Sequence, residues 1–195
     1  MKNIIKNAMI LTVITLVSGL LLGFVYDITK EPIALAKEKA KNEAYQTVMQ
    51  AADTFEALEV KEVALSVEGC TVNEVVAAKA GSELKGYVVT VTTNAGYGGN
   101  IQVSVGIAAD GTVKGIEMLS IAETAGLGMN ATTPEFKGQY ADKLVDSFVV
   151  NKAGASADNE ISAISGATIT SNAVTNAVNT AINYFNNVLG GSVNE

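Results

Sequence analysis

Between Ile164 and Asn172 the chain reads ISGATITSN. Ser165, Thr168, Thr170 and Ser171 supply hydroxyls, and no side chain in the run can serve as a general base or a metal ligand. What the run can offer is a hydroxyl for esterification and, at Gly166 and Ala167, a backbone that a ligand can approach. Directly after it, Val174, Ala177, Val178, Ala181, Ile182, Phe185, Val188 and Leu189 follow the i, i+3, i+4, i+7 spacing of an amphipathic helix. Ser171 or Asn172 is the expected N-cap of that helix, and Gly190 and Gly191 the expected stop. Free N–H groups at a helix start favour an anion such as phosphate. An ordinary capped start explains the same hydroxyls, so these residues by themselves leave both readings open.

Composition narrows the chemistry. Histidine is absent, which removes the usual general base and the commonest metal ligand. The one cysteine, Cys70, permits neither an internal disulfide nor a thiolate cluster. No metal site and no catalytic side chain are therefore expected, and any redox or group-transfer chemistry needs a cofactor. A net charge of −7 and a pI near 4.7 argue against nucleic acid as a partner, because that binding rests on neutralising phosphates. With 195 residues, 48% of them hydrophobic, the chain can build one ordinary domain plus an extension.

That extension is N-terminal. Lys2 and Lys6 precede an uncharged run from Asn7 to Tyr26, closed by Asp27. About twenty helical residues cross a hydrocarbon layer of ~30 Å. No small-x-small cleavage pattern follows, so the run reads as an uncleaved single-pass anchor in membrane lipid. The leading lysines put the N-terminus in the cytoplasm and the rest on the outer face of the cell membrane. From Pro32, in a first turn, a helix is expected to about Ala52. Residues from Asp53 to Ala80 are mixed, with short Val-rich pieces around Val60 and Val75.

A β region begins near Leu84: LKGYVVTVTT, IQVSVGIAA and TVKGIEMLS are β-branched and partly alternating. Asp110-Gly111 marks a hairpin between the last two. NAGYGGN, between the first two, fits either a flexible loop or a backbone approached by a ligand. ETAGLGMN, from Glu123 to Asn130, is a second small-residue loop, and a short helix opened by Pro134 follows it. The expectation is an α+β fold: an anchor over 1–30, a helical stalk and irregular segment over 31–80, and a single domain of antiparallel sheet plus helices over 81–195.

SGATITS, Ser165 to Ser171, resembles the flavinylation motif of the FMN-binding domain family, whose members carry FMN on a threonine through a phosphoester. The stretch GYVVTVTTNAGYGGNIQVSVGIAADGTVKGIEMLSIAETAGLG is similar to that family's β region and its ETPGLG loop, and TKEPI, Thr29 to Ile33, to its anchor continuation. Within the family the likeness is to the G subunits of Rnf complexes, membrane-bound ferredoxin:NAD⁺ oxidoreductases coupled to ion transport. The C subunits of sodium-pumping NADH:quinone reductases are relatives.

The resemblance implies FMN esterified to Thr168, delivered from FAD by a separate Mg²⁺-using flavin transferase, with Thr170 the competing hydroxyl. Ser165, Gly166 and Ala167 would shape the turn. Glu123 and Thr124 would lie against the flavin, and Gly126, Leu127 and Gly128 would keep their loop close. Implied partners are the other membrane subunits of such a complex.

Three departures stand out. Ser162 occupies the place, six before Thr168, where the family usually has aspartate, with Asp158 and Glu160 near but out of register. Ala125 replaces the loop proline, and Ala122 stands where a histidine is common. A pilin-like protein, or an anchored binding module without a redox role, are the competing readings.

Overall fold

The computed structural model describes residues 1–61 and 67–190. Gly191, one of the two expected stops of the last helix, therefore lies outside the described residues. The chain divides into two compact units, Met1–Lys41 and Asn42–Glu195.

The first unit is helical from Lys2 onward, as part of α1 (Lys2–Val48). It is long and apolar enough to cross a membrane, and none of that apolar window is buried against protein. Leu20, Leu22 and Phe24 are exposed, as a lipid-facing helix requires. The helix does not restart at Pro32: that residue lies inside α1. Its missing N–H deprives the Ile28 carbonyl of one bond, and the strong helix formers that follow carry α1 on to Val48 rather than to Ala52.

The second unit is built on an antiparallel sheet of five strands in the order β1-β2-β3-β4-β5. These are β1 (Thr54–Leu58), β2 (Cys70–Ala80), β3 (Glu83–Thr93), β4 (Ile101–Ala108) and β5 (Val113–Ser120). Two strands thus come from the stretch whose sequence is mixed, and the sheet begins well before residue 81. β4 and β5 turn at Asp110-Gly111 as expected: Gly111 has φ +91°, and the Asp110 carboxylate accepts the Thr112 N–H at 2.9 Å.

Each face of the sheet is covered by a helix. On one side, Tyr45, Val48, Met49 and Ala52 pack on Val76, Ala78 and Val88. The approach here is close enough that a Cβ on Gly106 would strike the Val48 carbonyl. On the other side lies α3 (Thr168–Tyr184), whose Val174, Ala177, Val178, Ala181 and Ile182 join Val89, Val91, Val103 and Val105 in the main core. Between β5 and α3 come α2 (Pro134–Gly138), capped by the Thr133 hydroxyl, and a parallel pair, β6 (Val149–Asn151) and β7 (Glu160–Ser162). A buried bond of 2.7 Å between the Tyr140 and Thr175 hydroxyls ties this connection to α3. Burial pushes the Tyr140 phenol pKa upward, against the opposing pull of that bond.

Candidate functional site

α3 starts at Thr168, three residues before Ser171 and four before Asn172, the two expected caps. Its N-cap position is held by Ala167 (φ −133°, ψ 44°), and no side chain caps it. Ser171 is no cap because its hydroxyl is committed elsewhere: buried in the first turn, it accepts the Ile164 N–H and donates to the Ala167 carbonyl, both at 3.0 Å. That double bond pattern folds the SGAT segment back over the helix end, and Gly166, at φ +74°, makes the turn. The helix therefore begins with N–H groups that have neither intrahelical partners nor a side-chain cap, and Thr168 stands among them as the first helical residue.

Two loops from the sheet close on this end. After β5, the Glu123 side chain turns inward and is only 9% exposed. Its Oε1 accepts the Gly98 N–H at 3.2 Å, which joins it to the glycine-rich loop between β3 and β4. The Thr124 carbonyl accepts the N–H groups of Leu127 (3.1 Å) and Met129 (3.2 Å), and Gly126 supplies φ +76°. This compact turn forms with Ala125 in place of proline. Gly128 then passes where Glu123 and α3 converge. A Cβ placed there would lie 2.7 Å from Glu123 Oε2 and 2.7 Å from Thr170 Oγ1.

Between these parts opens a cleft of about 550 Å³ lined by Tyr97, Glu123, Thr124, Leu127, Gly128, Gly166, Ala167, Thr168, Ile169 and Thr170. Eight of these were expected from sequence, spread over two distant segments. Gly126 shapes the neighbouring turn, and Ser165 faces a separate groove with Ser162, Glu135 and Gln139. Tyr97 and Ile169 were missed, and both are exposed, at 73% and 54%. The signal for Tyr97 was an aromatic residue alone among glycines in NAGYGGN; Ile169 gave none.

The departures can now be placed. Ser162 ends β7; its hydroxyl accepts the Ala155 N–H at 2.8 Å, and its own N–H donates to Gln139 Oε1 at 2.7 Å. Glu160 does not substitute for the missing acid, because its carboxylate is taken up by the Ser156 N–H and hydroxyl and by Asn151. Those bonds, the Ser156 N–H first, hold its pKa below the ordinary range. Asp158 is likewise lowered, by its hydrogen-bonded pairing with Lys143. Cys70 is half-buried on β2.

Residues 96–183 match the FMN-binding domain family, and residues 1–48 the RnfG N-terminal region. The first span contains every residue that lines the cleft; the second ends where α1 ends. The G subunit of the proton-translocating ferredoxin:NAD(+) oxidoreductase complex of Clostridium ljungdahlii is 34% identical, over 93% of this chain and 91% of that protein. Its counterpart in the Na(+)-translocating complex of Acetobacterium woodii is also 34% identical, over 96% and 94%. A solved structure of the C subunit of the Na(+)-translocating NADH-quinone reductase of Parabacteroides distasonis shares the fold, with a TM-score of 0.51 and 21% identity over 68% of this chain and 76% of that one.

The cleft suits FMN on its own geometry. Its volume lies within the usual range for small-molecule and cofactor sites, ~300–1,000 Å³. Uncapped N–H groups suit a phosphate at one end, Tyr97, Leu127 and Ile169 offer apolar surface to a ring system, and the absent side chain at Gly128 lets its loop pack closely on Glu123 and Thr170 to form the floor.

Proposed function

The chain belongs to the family of G subunits of ion-translocating ferredoxin:NAD⁺ oxidoreductase complexes, and from that premise we propose that it carries electrons through an FMN esterified to Thr168. The flavin supplies the redox chemistry; the protein holds it in place and shields it. One observation supports the choice of residue: Thr168 is the first residue of an uncapped helix on the wall of the cleft, so a phosphate esterified to it would sit at the end where backbone N–H groups are free. Thr170 also lines the cleft, but at 1% exposure, packed behind Gly128, it is the poorer acceptor. Attachment forms the bond from Thr168 Oγ to the FMN phosphorus, breaks the pyrophosphate of FAD, releases AMP and frees the hydroxyl proton. A separate flavin transferase performs that step. Gly166 and Ala167 keep the approach to Thr168 open, while Glu123, through Gly98, holds the two loops that form the opposite wall.

The N-terminal helix anchors the chain in membrane lipid, with Lys2 and Lys6 on the cytoplasmic side and the FMN domain on the outer face. Electrons then pass between this flavin and redox centres in neighbouring membrane subunits. A covalent bond suits that location, since a flavin lost outside the cytoplasm is not readily replaced.

The full chain, produced together with a flavin transferase, is denatured and run on a gel. The expected result is flavin fluorescence travelling with the polypeptide, a mass increase of ~440 Da for one FMN, loss of both in Thr168→Ala and retention in Thr170→Ala. A colourless wild-type chain under conditions that load another substrate of the same transferase refutes the proposal and favours a binding or structural role. Flavin that survives Thr168→Ala moves the attachment site.

A further inference from the structure

We propose that Tyr97 is the aromatic wall of the cleft and lies against the isoalloxazine ring; the inference rests on the FMN reading above. Tyr97 is 73% exposed, in a domain whose other tyrosines are all buried: Tyr45, Tyr87, Tyr140 and Tyr184 are between 0% and 7% exposed. An exposed aromatic ring held in a fixed position at the rim of a cleft is shaped for a planar ligand, because ring stacking adds to the gain from covering its surface.

The loop around it is built to hold that position. A Cβ on Gly98 would strike the Ala122 carbonyl, and one on Gly96 would strike the Gly99 carbonyl and sit 2.9 Å from Glu123 Oε1. Glycine at both flanking positions thus lets the backbone seat itself against the Glu123 loop, and the Gly98 N–H bond to Glu123 locks it. Tyr97 projects from between two clamped residues. Its own side chain takes no part in the clamping, which is what a residue reserved for a ligand requires.

Composition makes the idea testable by light. The protein contains no tryptophan, and among the described residues no other tyrosine or phenylalanine lines the cleft. A phenol in contact with an excited flavin quenches its emission by donating an electron and taking it back, whereas a phenyl ring does so poorly. Tyr97 is then the source of quenching in the loaded chain, and its ring is also a shield against small quenchers in solution.

The test uses the full chain loaded with FMN, in detergent, as wild type, Tyr97→Phe and Tyr97→Leu. Because the side chain is exposed, both variants are expected to fold, and equal flavin bands after denaturation verify equal loading. Native wild type should emit more weakly than the same protein unfolded. Tyr97→Phe should regain emission while keeping its resistance to iodide, since the ring remains. Tyr97→Leu should regain emission and also lose protection, by roughly two- to tenfold, the factor that corresponds to a lost aromatic pair. Native emission and iodide protection unchanged in Tyr97→Leu, with the flavin band intact, overturn the proposal and leave the FMN site standing. Absence of the band from wild type overturns the FMN reading as well.

Discussion

Gly128→Ala tests the floor of the cleft most directly. One methyl group is added, and it would meet Glu123 Cβ, Glu123 Oε2 and Thr170 Oγ1, each at 2.7 Å. None of the three can step aside cheaply. Glu123 is 9% exposed and committed to the Gly98 N–H, and Thr170 is 1% exposed in the first turn of α3. Overpacking of this kind costs about 1–3 kcal/mol. For a protein of this size each kcal/mol lowers Tm by roughly 2–4 °C, so the expected fall is roughly 2–12 °C. Thermal unfolding of the full chain in detergent, followed by circular dichroism, measures it. Gly138→Ala is the control: it lies in α2 with nothing within 4 Å of the added Cβ, and alanine there should be neutral or stabilising by up to about 1 kcal/mol. The loaded fraction of flavin should fall in Gly128→Ala and stay at the wild-type value in Gly138→Ala. A Gly128→Ala protein that melts within about 1 °C of the control would refute the convergence of Glu123 and Thr170 around this glycine.

Removing the Glu123 carboxylate should cost about 1.5–3 kcal/mol in Glu123→Ala, since the Gly98 N–H loses a charged acceptor; Glu123→Gln, which keeps an acceptor oxygen, should recover most of it in urea titrations. Ser171→Ala leaves the half-buried Ile164 N–H without its partner, so a loss of about 0.5–1.5 kcal/mol is expected, together with faster protease cleavage near residue 165. Stability should also decline in alkali. Burial, with Glu74 adding to it, raises the Tyr45 phenol from 10.0 to about 12. The folded state therefore favours the neutral phenol: its contribution is complete below pH 10.0 and is lost as pH climbs to about 12. Tyr45→Phe should remove roughly 1–2 kcal/mol of that decline, measured as the difference between urea unfolding at pH 9 and pH 11.5; an unchanged slope would contradict the assignment.

Much of the second unit was legible because its strands and last helix are strongly patterned. β3, β4 and β5, the Asp110-Gly111 turn and the buried stripe of α3 follow directly from side-chain periodicity. β2 was not legible for a physical reason: register shifts between Val72 and Glu74, and again between Ala78 and Lys79, break the alternation that marks a strand. β1 is short and mostly exposed, so its sequence carries little hydrophobic signal. Local rules also misplaced the start of α3. Ser171 has the right chemistry for a cap, but tertiary structure spends its hydroxyl on Ile164 and Ala167. At the site, periodicity gave only an uncommitted run of hydroxyls; the resemblance singled out Thr168 and the Glu123 loop. Tyr97 and Ile169 escaped because membership of a cleft depends on which loops meet, and that meeting is arranged by Glu123 and two glycines.

The bare start of α3 has a consequence for how the protein matures. A helix that opens on alanine forgoes stabilisation of about 0.5–2 kcal/mol that a side-chain cap would give. A phosphate ester on Thr168 places anionic oxygens at that same turn, where the dipole favours them. On the proposed reading, the ester would then complete the fold as well as equip it for electron transfer. Chains without the ester would then be weaker at this turn than chains that carry it, and the difference would show as faster limited proteolysis near residue 167.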